Sequence, residues 1–335
     1  MEKQAKDCLG WVGKIMCLRI TQTLKTKLKK STNTIPMKFK QNLLKNINSI
    51  AVGFGLFGFT AFTDVAKAEA PPKCTAAIGA KVDGKYTKTA AQIGNSMDYC
   101  TETPERFVIT IHELGLCTSQ PIQTGTPRTF SRDNCVVTMT STGSTADLAN
   151  STVDLPSMTG RPPSNTYTHA YIILTNTFGL RGSVTIKNAS GGDVKYCSMT
   201  NKDGSGSNST SGTTVGNFCT AENHTELLNN FADEGSFSAY FPLEEEDGVM
   251  DGGGKVSALL TGADTNLTTA TQASEAKRLI GVFETNSGTP VKITDATNGL
   301  EMQLTVTDIG YGISFSSGEP SYFGSMPFKP IFETF

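Results

Sequence analysis

The groups with the most chemistry to offer are three histidines, one run of carboxylates and a set of cysteines. His112 opens "HELG", the first half of a zinc-hydrolase pattern in which two histidines four residues apart share a helix face. The second position holds Leu116, so the pattern fails. His112 continues the Val108, Thr110 face of a strand, opposite Phe107, Ile109 and Ile111, and reads as a strand histidine. His169 lies between Tyr167 and Tyr171 on one face and reads as a packed ring. His224 has no patterned partner. The carboxylates crowd "LEEEDGVMDGGGK", where hard oxygen donors beside glycines give a candidate calcium site at Glu245, Asp247 and Asp251. The spacing is not that of a helical calcium loop, and a solvated acidic turn competes with it. No Gly-x-Ser-x-Gly elbow and no phosphate-binding glycine loop occurs beyond the apolar segment near the start, which points away from an enzyme.

That apolar segment decides how the rest is read. Ile50 to Thr63 is an uncharged run of 14 residues, short of the ~20 a membrane-spanning helix needs, and it is broken by Gly53, Gly55 and Gly58. Met37-Lys38-Phe39-Lys40 and Lys45 precede it, and Ala66-Lys67-Ala68 follows in the small-x-small form of a signal-peptidase site. Residues 37–68 are expected to be a cleaved signal peptide. Residues 1–36 are then an upstream segment that is either not translated, with the start at Met37, or a long basic leader that is not retained. The whole chain carries 29 basic and 31 acidic residues; the first 68 hold 12 and 3, which leaves 17 and 28, a net charge of −11. Without a basic patch, phosphate neutralisation has nothing to work with, and no nucleic-acid partner is expected.

Six cysteines remain after the leader: Cys74, Cys100, Cys117, Cys135, Cys197 and Cys219. An even number in an exported chain reads as three disulfides. Sequence alone leaves the pairing open; the sequential one closes three short loops and is the expectation adopted. No Cys-x-x-Cys occurs, so a zinc site is not expected.

The elements that must position these groups are strands. "LEMQLTVT" alternates Leu300, Met302, Leu304 and Val306 with polar residues, and Asn298-Gly299 before it predicts a hairpin with "VKIT". "GSVTIKNASGGDVKYC" predicts a second hairpin, and "RFVITIH", "NCVVTMT" and "YTHAYIILT" are β-branched or aromatic runs. "AENHTELLNNF" and "TQASEAKRL" read as short helices, and Asn201 to Asn217 as a mobile Gly/Ser loop. The fold class expected is mostly β, an antiparallel β-sandwich or jelly roll with one or two short helices. A disulfide-stapled portion, residues 69–235, and a cysteine-free portion, residues 236–335, follow from the cysteine distribution. The last segment, "ISFSSGEPSYFGSMPFKPIFETF", carries six aromatic rings among Pro320, Pro327 and Pro330, which keep it from a central ladder. Its rings must be buried, either on its own domain or on a second copy by strand addition.

"ERFVITIHELGLCTS" and, farther on, "THAYIILTNTF" resemble uncharacterised secreted β-rich proteins of marine bacteria. The resemblance covers part of the chain and implies an exported β fold without a known activity. The function expected from these features is a secreted structural protein, a subunit of a surface filament, coat or matrix that self-assembles through the C-terminal tail. An extracellular glycan- or ligand-binding module is the alternative, and a secreted hydrolase the second alternative. No cofactor beyond calcium is expected, and no transmembrane span after the leader.

Overall fold

β-Branched and aromatic side chains alternating along short runs make strands the dominant element. The structure is a computed structural model, and it describes residues 9–11, 14–20, 72–94, 99–149, 161–200, 208–212, 218–232, 236–241 and 254–335, with backbone alone for 9–11, 14–20 and 208–212. In chain order the early elements are β1 (Leu9–Trp11), β2 (Lys14–Ile20), α1 (Cys74–Ala77), β3 (Lys81–Val82), β4 (Lys85–Tyr86), α2 (Ala90–Ile93), β5 (Tyr99–Glu102), β6 (Arg106–Cys117), β7 (Ile122–Gln123), β8 (Thr129–Phe130) and β9 (Cys135–Asp147). The middle of the chain supplies β10 (Asn165–Tyr167), β11 (His169–Thr175), β12 (Thr177–Arg181), β13 (Ser183–Lys187), β14 (Asp193–Met199), β15 (Asn208–Gly212), β16 (His224–Leu227) and β17 (Tyr240–Phe241). The last part gives β18 (Val256–Thr261), β19 (Arg278–Glu284), β20 (Val291–Ile293), β21 (Gly299–Thr305), β22 (Tyr311–Ser316), β23 (Glu319–Ser325) and β24 (Lys329–Thr334).

The largest sheet runs β16-β12-β6-β11-β19-β18-β17, with β9 on the other side of β6. It is curled, and the cause is local. β11 and β12 follow each other along β6, from Cys117 opposite His169 to Arg106 opposite Arg181. Between them Asn176 is buried and its amide donates to the carbonyls of Leu228 and Ala276, which pins the corner. Register shifts in the β6 ladders, at Ile173/Leu174 against β11 and at two points against β9, add bend and twist. A six-stranded sheet runs β13-β14-β15-β23-β22-β5, and β21 and β24 form part of a further sheet with β1 and β2. The ladders are antiparallel except for β2 on β21. Both large sheets mix strands from before and after residue 235, and Ala68–Phe335 belongs to one compact unit. Leu24–Lys67, the other unit, lies outside the described residues.

Several expected elements form elsewhere. "LEMQLTVT" is a strand with Leu300, Met302 and Leu304 buried, but its partners are β24 and β2. "VKIT" pairs with β10 instead, and Asn298 and Gly299 donate to the carbonyl of Phe335, so the predicted hairpin is replaced by contact with the chain end. "AENHTELLNNF" is corrected from helix to strand: His224–Leu227 extends along the free edge of β12, where ladder hydrogen bonds outweigh the marginal propensity of a helix of about three turns. Ala273–Glu275 is a single 3-10 turn, and the two short helices are α1 and α2. Within the Gly/Ser tract, Asn208–Gly212 forms a strand on β14, whose edge offers it backbone partners. Pro330 sits on β24, which has one neighbour, and Pro320 sits where β22 and β23 shift register, both places that tolerate a missing N–H.

Among the residues described with side chains the disulfides are Cys74–Cys100, Cys117–Cys135 and Cys197–Cys219, the sequential pairing. The second of them joins a directly opposed pair of the β6–β9 ladder and closes the loop that carries β7 and β8. Under that loop lies a polar pin. Arg132 grips Glu113 with two hydrogen bonds, Nε to Oε1 at 2.7 Å and Nη2 to Oε2 at 3.1 Å, and Tyr171 Oη donates to Glu113 Oε1 at 2.6 Å. The Tyr171 ring passes so close to β6 that only glycine fits at Gly115: a Cβ there would be 2.2 Å from Tyr171 Cε1. Gly115→Ala is expected to lower stability by about 1–3 kcal/mol in urea unfolding, as overpacking against a buried ring does. Gly179→Ala, where the nearest atom is the mobile end of Arg106, serves as the contrast and should cost less than half as much.

Candidate functional site

The inner strands of the curled sheet have apolar side chains on both faces. In β11 (HAYIILT) and β19 (RLIGVFE) the five central residues of each are buried, and in β18 all six are. Tyr171, Ile173, Leu259, Ile280 and Val282 face one way and pack under the loop pinned by Arg132, with Ile122, Leu267 and Phe130. Ile172, Leu174, Ala258, Leu279, Gly281 and Phe283 face the other way, into the curl. Uninterrupted apolar runs are what burial on both faces requires.

On the inner face the wall does not close up. Gly281 lies opposite Ala258 on one side and Ile172 on the other, so the two smallest side chains of the wall stand next to each other. Above them is a cavity of about 510 Å³. Phe178, Leu228, Phe231, Phe241 and Val256 surround it, and Met326, Pro327 and Phe328 of the C-terminal segment cover it. Phe328 is held by Phe283 and Phe107, with ring centroids at 5.7 and 6.2 Å.

One acidic side chain reaches this apolar space. Glu226, on the edge strand β16, accepts a hydrogen bond from Tyr322 Oη at 3.3 Å and another from the Ser325 amide. Burial raises its pKa above the usual carboxylate range, and the bonds from Ser325 and Tyr322 oppose that rise. Gly324 makes the approach possible, since a Cβ there would stand 2.7 Å from the Tyr322 ring and 3.2 Å from Glu226 Oε1. Two residues back on the same strand, His224 is 2% exposed, and neither ring nitrogen has a hydrogen-bond partner. Burial lowers its pKa; the backbone of Glu222 and Phe323 tempers that without forming bonds that meet normal geometry.

The residues singled out from sequence fall elsewhere. His112 Nε2 is 2.9 Å from Thr175 Oγ1, and burial first, then Arg278, lowers its pKa. His169 Nδ1 is 2.8 Å from Thr168 Oγ1, at the opposite end of β11, with its pKa lowered by burial. The three histidines are not brought together, and none lines the cavity. The glutamate of "HELG" is Glu113, which serves as the anchor for Arg132 and Tyr171. Glu245, Asp247 and Asp251 lie outside the described residues, and among the described residues no three His, Cys, Asp or Glu side chains gather as metal ligands. Sequence reasoning missed Glu226, which it placed on a helix, and the Ala258–Gly281 floor. The usable signal was the unbroken "YIIL" and "LIGVF" runs. No protein-family model, no curated protein and no solved structure matches this chain.

His224 makes stability pH-dependent with a definite sign. Its folded pKa is below the ordinary 6.5, so the unfolded chain takes up the proton first and stability is lost as pH falls below about 6.5. His224→Phe keeps the volume and removes the titration. Its stability relative to the native protein should rise by up to about 1.4 kcal/mol per pH unit between pH 6.5 and 5, measured by urea unfolding. A difference that stays flat across that range would disprove this account of His224.

Proposed function

We propose that this chain is an exported ligand-binding β module whose curled sheet takes a small apolar molecule. The observation that carries the reading is the 510 Å³ mostly apolar cavity floored by Ala258 and Gly281, within the ~300–1,000 Å³ of ordinary small-molecule sites and lined by one charged side chain, Glu226. Three disulfides fit an oxidising compartment, and no helix among the described residues is long and apolar enough to cross a membrane. The sandwich-like arrangement fits too: Val184, Tyr196, Ile313 and Phe323 of the six-stranded sheet share one core with Phe107, Ile109 and Phe178 of the curled one. The aromatic walls are Phe and Tyr, which suits a hydrophobic guest better than a sugar stacked on tryptophan.

A filament or coat subunit is the second reading, and one observation favours it. β21 pairs with β2, a strand from the segment upstream of Ala68, and with β24. Loss of that segment leaves β21 a free edge, and a free edge accepts a strand from another copy. The tail itself is engaged at home, with Phe328 and Phe332 buried and β24 on β21.

Two measurements separate these readings. An uncharged environment-sensitive fluorophore such as N-phenyl-1-naphthylamine should bind the oxidised protein with one-to-one stoichiometry, and Ala258→Phe should abolish the signal while keeping or raising the melting temperature. Equal fluorescence with that variant would remove the cavity from the argument. For the second reading, protein starting at Glu69 should form oligomers by size exclusion and electron microscopy; a strict monomer at high concentration would end it.

A further inference from the structure

Resting on the ligand-binding reading, we infer that the cavity selects an amphipath with a single alkyl chain and a cationic amine head, the amine seated on Glu226. The cavity wall supplies apolar surface almost everywhere, so a guest chain gains from burial wherever it lies. Orientation must come from the charged exception. Glu226 is that exception, and its carboxylate is not filled: its two oxygens offer about four acceptor positions, and Tyr322 Oη with the backbone and side chain of Ser325 occupy at most three. None of these donors brings a full positive charge. No lysine, arginine or histidine forms an ion pair with Glu226 among the described residues. Glu226 is half-buried; among the other carboxylates, buried Glu102 has Lys81 at 2.6 Å, and half-buried Glu113 has Arg132 at 2.7 Å. The fold thus partners these two acids with cations and leaves Glu226, at the cavity, for something else to complete. Burial raises the pKa of Glu226 because the site disfavours an uncompensated negative charge, and an ammonium group removes that penalty. A carboxylate-headed lipid would meet two like charges in a low-dielectric pocket, and an alcohol head would satisfy an acceptor without the charge.

The inference is tested by displacement. The oxidised protein is loaded with N-phenyl-1-naphthylamine at pH 7.5 and titrated with decylamine, decanol and decanoate below their micellar concentrations. Decylamine should displace the fluorophore at about tenfold lower concentration than decanol and lower still than decanoate, as expected for a charge-assisted contact. Glu226→Gln should collapse the amine-to-acid ratio to within about twofold, with its fold checked by circular dichroism. If that variant does not fold, the decylamine-to-decanol ratio of the native protein, in which neither ligand changes charge, must shrink as pH is lowered. Equal displacement by all three, or preference for decanoate, overturns the amine assignment and leaves the cavity reading standing. Failure of the fluorophore to bind, or of any of the three to displace it, overturns both.

Discussion

Burial of β11, β19 and β18 on both faces is the constraint from which the rest of the architecture follows. A sheet with one wet face can stand beside any single core; these three strands need cover on two sides at once. The outer cover is the loop between Cys117 and Cys135, fastened by that disulfide and, three residues before Cys135, by Arg132 on Glu113. The inner cover is the rest of the domain: the six-stranded sheet and the C-terminal segment ending in Phe328. The polar pin and the disulfide are there because the apolar outer face is too small to retain a lid by packing alone.

The curl makes the inner side different in kind. Asn176 turns the chain between β11 and β12, and bulges bend β6, so the concave face has more volume than its side chains fill. Small residues at Ala258 and Gly281 enlarge the gap where larger ones would close it. The recess carries a single carboxyl on its wall, Glu226. The histidines and the acidic run, the most reactive-looking features of the chain, lie apart from this volume or outside the described residues.

How legible this was depends on the range of the interaction. Leu300, Met302 and Leu304 alternate with polar residues, and the alternation is visible without any partner, so the strand was readable. Its neighbours were not, because Asn298-Gly299 is a strong local turn signal and the contact with Phe335 that overrides it comes from the far end of the chain. Leu227, Leu228 and Phe231 have helical spacing, yet the edge of β12 offers the segment at His224–Leu227 a ladder, and an isolated helix of that length has little to set against it. Glu226 changed meaning with that one difference: on a helix it would be a surface acid, on this edge it faces apolar space.

Local chemistry in the chain was enough to determine a β-rich molecule and the failure of "HELG" as a zinc motif, because each depends on residues near one another; the disulfide pairing stayed open until the structure gave it. Strand order, the corner at Asn176, the meeting of Ala258 with Gly281 and the exposure of Glu226 to an apolar cavity were decided only in three dimensions. Each joins segments tens of residues to 100 residues apart, and no pattern within either segment records which partner the other will be.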